Sequence, residues 1–238
     1  MNVHINSILT KTHCGGMCDD CPPQGYIETT RSFEIACRSG KRAFRNEFGR
    51  LVTEPATYET PVAKAIHMVR SPLDNVVARF HLARNTMRFR KNAPRNWQER
   101  HPNNRTGFQL WCREMDAKSQ LTTMRWIDDK LKTLLLKVPC HAEFFRYTQW
   151  HNLAFQVTHD KKIPTLVLHY REYEENFDVT VNKLLDFLEA NHVGQIEPFQ
   201  KGKVYYSFYS KEQRRNVKRL LRELSSGDTW EALRGYYF

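Results

Sequence analysis

The 238-residue sequence has no run of roughly 18 apolar residues, so it holds no candidate membrane-spanning helix. Met1 to Thr10 is mildly apolar but has neither a basic start nor a small-residue cleavage site, and does not read as a signal peptide. Six cysteines are too few for a disulfide scaffold at this length. There is no internal repeat and no low-complexity tract. Acidic residues are the minority: 26 Asp and Glu face 37 Lys and Arg, a formal charge of +11. Such a chain attracts anions. The charge alone does not choose among nucleic acid, sulfated or phosphorylated small molecules, acidic glycans and anionic membranes.

What is present is enough for a core. Hydrophobic residues make up 40% of the chain and aromatics 12%, which excludes most disorder. We expect one domain spanning residues 1–238. Ile8–Thr12 reads as a short strand, Ile27–Cys37 as a helix closed by Ser39-Gly40, and Asn46–Pro61 as loop. Ala63–Val69 reads as a buried strand, followed by Arg70, then Ser71 as a helix N-cap with Pro72 at the first helical position. The helix is expected over Leu73–Leu82. Arg79–Arg105 holds eight basic residues and one acid, Glu99, and reads mostly as an exposed loop. It contains the glycosylation sequon Asn104-Arg105-Thr106, which has meaning only in a secretory compartment.

Helices are expected over Leu121–Leu136 and Ala142–Val157, the latter with a buried stripe of Phe145, Trp150, Leu153, Ala154 and Val157. Pro164–His169 reads as a second buried strand ending at Tyr170. Val181, Leu184, Leu185 and Leu188 mark an amphipathic helix over Val179–Ala190. Ser210 and Gln213 form a capping box that opens a last helix stopping near Gly227. Strands alternating with helices indicate an α/β domain with a largely parallel sheet, which binds ligands beyond the carboxyl ends of its strands.

Three groups fall at such ends. Lys11 and His13 are two residues apart and share a side in extended chain. An imidazole beside a cation suits attack by a hydroxyl on an anionic centre, the first taking the proton and the second stabilising charge. A surface Lys with a structural His fits the same spacing. The Arg70 fork suits a phosphate or sulfate in two hydrogen bonds, or a carboxylate such as Asp74. Tyr170 can stack on an aromatic base or simply edge the core.

The cysteines admit other chemistry. His13, Cys14, Cys18, Cys21 and Cys37 could hold zinc, but no second CxxC or HxxxH pair follows, and disulfides or free thiols are equally open. The basic stretch from Arg79 to Arg105 would bind nucleic acid at low salt, yet it holds no folded reader motif.

Taken in order, Ile8–His13 (ILTKTH), Ala65–Phe80 (AIHMVRSPLDNVVARF), Pro164–Leu188 (PTLVLHYREYEENFDVTVNKLLDFL) and, more loosely, Lys201–Phe238 resemble the PAPS-dependent sulfotransferases. The likeness is greatest to the carbohydrate-type and WSC-domain-containing branches. It implies a P-loop NTPase-like three-layer α/β fold with a mostly parallel sheet. It also implies transfer of a sulfuryl group from PAPS to a hydroxyl, with a carbohydrate as acceptor, acidic glycans among the candidates, and no metal. His13 matches the family's base and Lys11 the Lys beside the transferred sulfate. Arg70 matches the Arg on the cofactor's 3′-phosphate, Tyr170 the tyrosine on its adenine side, and Lys201-Gly202 a late Lys-Gly on the 3′-phosphate.

This sequence departs from the pattern at three places. Ala78 stands where a Ser is usual, with Ser71 as a nearby substitute; Arg171 stands where Glu is common. No Gly-rich, Lys-containing phosphate loop precedes Lys11, and Gly40-Lys41 is only a fragment of that pattern. The expectation is therefore a domain lacking its first strand–P-loop–helix unit, with weak cofactor binding and doubtful turnover. It would belong to a longer Golgi-lumenal or membrane-anchored parent, or else be cytoplasmic. In this reading the Arg79–Arg105 stretch guides an acidic glycan acceptor.

Overall fold

The computed structural model describes residues 29–45, 47–48, 51–57, 62–90, 94, 96–191 and 205–237. The strand expected over Ile8–Thr12 lies outside them. The chain enters through helix α1 (Thr30–Arg38), started by a reciprocal Thr29–Ser32 side-chain and backbone exchange. It then forms an antiparallel hairpin, β1 (Ser39–Arg45) on β2 (Leu51–Thr57), with Ser39 opposite Thr57. The loop expected over Asn46–Pro61 thus contains a strand. Its misleading residue is Pro55, which lacks an N–H and is tolerated where the strand has an open edge.

Strands β3 (Ala65–Val69) and β4 (Thr165–His169) pair in parallel, Ala65 on Thr165 through Val69 on His169. Nearly one hundred residues of mostly helical chain separate them, as a parallel crossover requires. The sheet is smaller than expected. Among the described residues it amounts to this parallel pair and the antiparallel hairpin, and helices dominate.

Helix α2 (Pro72–Phe89) starts where the sequence places it: Ser71 Oγ accepts from Asp74 N at 3.4 Å, with Pro72 next. It runs seven residues beyond Leu82, because Leu, Ala, Met and Arg in its second half are good helix formers. With α3 (Trp97–Arg100) it occupies much of the stretch read as exposed loop, so that expectation is corrected. Asn104 caps α4 (Arg105–Ser119), accepting from Gly107 N at 3.0 Å. Gly107 is required there, since a Cβ would collide with the Pro102 carbonyl.

The helix expected over Leu121–Leu136 is broken. A 3-10 turn covers Leu121–Thr123, and α5 is only Asp129–Leu135. Asp128 Oδ1 accepts from Leu131 N at 2.7 Å, and this cap outweighs the apolar spacing that ran across it. Helix α6 (His141–Asp160) is central and buried around most of its girth at its first half. Phe145 joins the main core, while Leu153 and Val157, with Trp150 and Ala154 against them, pack on Phe33 of α1. The expected single stripe is therefore divided between two clusters. Helices α7 (Tyr170–Glu175), α8 (Phe177–Leu188), α9 (Lys211–Leu224) and α10 (Gly227–Arg234) complete the order. Ser210 and Gln213 make the capping box read from sequence.

The main core gathers Val76, Val77 and Phe80 of α2, Phe108 and Trp111 of α4, Phe144 of α6, and Val217, Leu220 and Leu221 of α9. A buried disulfide, Cys112–Cys140, joins α4 to the start of α6. Cys37 is disulfide-bonded as well.

Candidate functional site

The parallel register brings two strand tips together. Val69 pairs with His169, so the next residues, Arg70 and Tyr170, leave the sheet side by side. The Arg70 guanidinium lies over the Tyr170 ring, 5.2 Å from its centroid. Stacking of this kind holds the guanidinium plane while leaving its N–H edges for hydrogen bonds. Arg70 makes no ion pair with Asp74 or any other acid among the described residues. The Asp74 carboxylate instead accepts from Tyr205 N at 3.0 Å. Burial raises its pKa, against that backbone bond, Ser71 and the nearby Arg70 charge.

Three tyrosines fasten the backbone under these tips. Tyr147 of α6 donates to Arg70 O at 2.7 Å, Tyr236 to Val69 O at 3.0 Å, and Tyr209 to Leu73 O at 3.2 Å. Tyr236 also sits 3.0 Å from His169 Nδ1, and the Arg171 guanidinium lies over its ring. Burial raises the pKa of all three phenols, keeping them neutral donors. Arg171, the departure from the family pattern, therefore has a place here: it also donates to Gly235 O at 3.1 Å and ties the C-terminal segment to the start of α7.

Beneath the sheet lies a histidine pair. His67 Nε2 and His151 Nδ1 are 2.8 Å apart, both rings buried, with Trp150, Phe155 and Tyr147 packed on them. Such a contact needs one ring donating and the other accepting, so the two rings are never both protonated. Desolvation holds His67 down to about 4 and His151 well below the usual histidine range.

Of the residues singled out from sequence, the fold brings together Arg70, Ser71 and Tyr170. Ser71 is buried and its Oγ serves the helix cap. Lys11, His13, Lys201 and Gly202 lie outside the described residues, as do Cys14, Cys18 and Cys21. Tyr205, four residues beyond Lys201, is anchored to the first turn of α2 through Asp74. Among the described residues no cluster of His, Cys, Asp or Glu could hold a metal ion. No helix among them is long and apolar enough to cross a membrane.

Sequence reasoning named Asp74 only as a partner for Arg70, and did not find Tyr147, His169, Tyr205, Tyr209 or Tyr236. Only their contacts with strand tips distant in sequence reveal them. The Arg79–Arg105 stretch also differs from its reading. Arg79 pairs with the buried Glu143, Arg84 donates to Gln98 O at 3.2 Å, and Arg100 pairs with Glu114 at 2.8 Å. Three of its eight cations thus serve internal contacts.

Residues 39–231 match the family model described as the sulfotransferase domain. The chain belongs to the sulfotransferase family. The matched span includes Arg70, Ser71, Tyr170, Lys201 and Gly202, and begins after Lys11 and His13. No curated protein and no solved structure matches the chain. Membership supports sulfuryl transfer in general and a P-loop-like α/β fold, of which the β3–β4 pair and its flanking helices are a part.

Proposed function

We propose that this sulfotransferase moves the sulfuryl group of PAPS to a hydroxyl of a carbohydrate acceptor, as the carbohydrate-type and WSC-domain-containing branches suggest. The observation that carries the reading is Arg70 stacked on Tyr170 at the shared tip of β3 and β4. The residues present fit a nucleotide with a 3′-phosphate. The Arg70 fork is not engaged by a carboxylate among the described residues, the amino end of α2 lies directly beyond it, and an aromatic face adjoins it. Arg70 would hold the phosphate, with Ser71 at the helix start and Lys201-Gly202 joining from the segment before Tyr205. Tyr170 would flank the adenine. PAPS, when bound, supplies the activated sulfuryl group. His13 would take the acceptor's hydroxyl proton as the new oxygen–sulfur bond forms, and Lys11 would offset charge on the bridging oxygen as its bond to sulfur breaks and it leaves with the 5′-phosphate of PAP.

A second reading is a domain that binds the nucleotide without turnover. What favours it is the β1–β2 hairpin. Gly40 and Lys41, the fragment of a phosphate-loop pattern, lie in β1, paired with Ala56 and Pro55, and not in a loop between strand and helix. Turnover assayed by transfer of labelled sulfate separates the two. The nucleotide site itself is tested by titration with PAP: Arg70→Ala should weaken binding at least tenfold with an unchanged melting temperature. His13→Ala should abolish transfer and leave PAP affinity nearly intact. Unaltered PAP affinity in Arg70→Ala would remove the assignment.

We also propose a lumenal, oxidising compartment such as the Golgi, within a longer membrane-anchored parent. The support is chemical: a buried disulfide between α4 and α6 is at home where thiols are not kept reduced. Asn104 is exposed, and the carboxamide oxygen that caps α4 leaves its nitrogen for a glycan. Peptide-N-glycosidase should shift the mass of the native protein, and Thr106→Ala should remove the shift. A native protein with free thiols at 112 and 140 would contradict this location.

A further inference from the structure

Helix α9 presents a stripe of cations along one face. At 100° per residue, Lys211, Arg215, Lys218, Arg219 and Arg222 fall within an arc of about 100°, opposite the buried Asn216, Val217, Leu220 and Leu221. The stripe runs for roughly 17 Å. Lys211, Arg215, Arg219 and Arg222 are exposed and take part in no ion pair among the described residues. The helix's two acids, Glu212 and Glu223, lie at one edge, and Glu223 is 3.4 Å from Lys130 of α5. Lys211/Arg215, Arg215/Arg219 and Lys218/Arg222 are like-charged i, i+4 neighbours, an arrangement that disfavours the helix when nothing neutralises it.

The stripe also has a direction. The chain just before α9 is docked at the start of α2 by Tyr209 to Leu73 O and by Tyr205 to Asp74. The amino end of α9 is therefore the end tied to the first turn of α2, the helix that follows Arg70. We infer that this face holds a linear, sulfated or carboxylated polysaccharide and guides it to the strand tips. As an acceptor track the inference rests on the transferase reading; as a binding surface it does not.

The chemistry favours this occupant over two others. A membrane surface would need apolar residues beside the cations, but the apolar side of α9 is sealed in the core. A nucleic acid would gain from aromatic platforms, and the stripe carries none.

The test measures affinity of the full chain for heparin, with neutral dextran and single-stranded DNA as comparison probes, at one moderate salt concentration. The variant replaces Lys211, Arg215, Arg219 and Arg222 by Gln. A control replaces the exposed Arg88, Arg90, Arg113 and Lys118 by Gln, with the same loss of charge. We expect at least a tenfold loss of heparin affinity in the α9 variant and less than threefold in the control. Dextran should not bind, and DNA should bind at least tenfold more weakly than heparin. Equal losses in the two variants, or DNA bound as tightly as heparin, would overturn the inference. PAP titration of the same proteins separates the two ideas: a wild-type chain that binds heparin through α9 but never PAP retains the surface and loses the transferase reading.

Discussion

Helices α2 and α9 are both rich in arginine, and they use it in opposite ways. Arg79 of α2 turns inward to Glu143, a carboxylate only 4% exposed, which also lies 3.6 Å from Arg146. Lys211, Arg215, Arg219 and Arg222 of α9 are exposed. A formal charge of +11 counts both helices alike. Only pairing and burial tell which charges are part of the fold and which are available to a ligand.

The largest effect that sharpens this contrast is expected from Glu143→Ala. It removes the buried carboxylate that pairs with Arg79 and lies near Arg146, and should destabilise the domain by about 3–5 kcal/mol, read by urea denaturation. A loss below about 1 kcal/mol would mean that Arg79 and Arg146 are not held by that acid. The disulfide lies at the same end of α6. Replacing Cys112 and Cys140 by Ser opens a loop of sequence separation 28 and should remove roughly 3.5 kcal/mol on the chain-entropy model.

The histidine pair supplies the next effect. His67 is held down to about 4 in the fold from 6.5, so the unfolded chain takes up the proton first as pH falls. Stability is unaffected above pH 6.5, is lost between pH 6.5 and about 4, and changes no further below; the loss is about 3 kcal/mol for this ring. Asp116, raised by burial to about 7, acts with the opposite sign over an overlapping range. A His67→Gln variant isolates the histidine, and its stability profile should be flatter below pH 6.5 than that of the parent. Equal slopes would remove the pair from the account. The smallest effect is expected from the four Gln replacements on α9, within about 0.5 kcal/mol of the parent in urea. A loss above 1 kcal/mol would break the contrast by showing those cations to be structural.

Several parts of the fold were legible in the sequence because their signals are local. Ser71-Pro72, the Ser210–Gln213 box and the two apolar strands each mark an element within a few residues, and all four are present. The strand–helix boundaries placed Arg70 and Tyr170 at the tips. That the two would stack follows from register across nearly one hundred residues, which no local pattern carries. The same limit hid β2 behind Pro55 and the true length of α2 behind Asn85 and Thr86. It also hid the tyrosine fasteners Tyr147, Tyr209 and Tyr236, which come from α6, from the turn before α9 and from the C-terminal segment. Each looks like an ordinary core aromatic until its hydroxyl is seen on a strand-tip carbonyl. The spacing between Leu121 and Leu136 was helical, but Asp128 decided the matter by capping a shorter helix.

The central claim is that the β3 and β4 tips form one nucleotide site. Calorimetric titration of the parent chain and of Arg70→Ala with PAP tests it most directly. The account predicts saturable binding by the parent and at least a tenfold weaker affinity in the variant. Heat-silent mixing with the parent, or identical affinity in both, would contradict it.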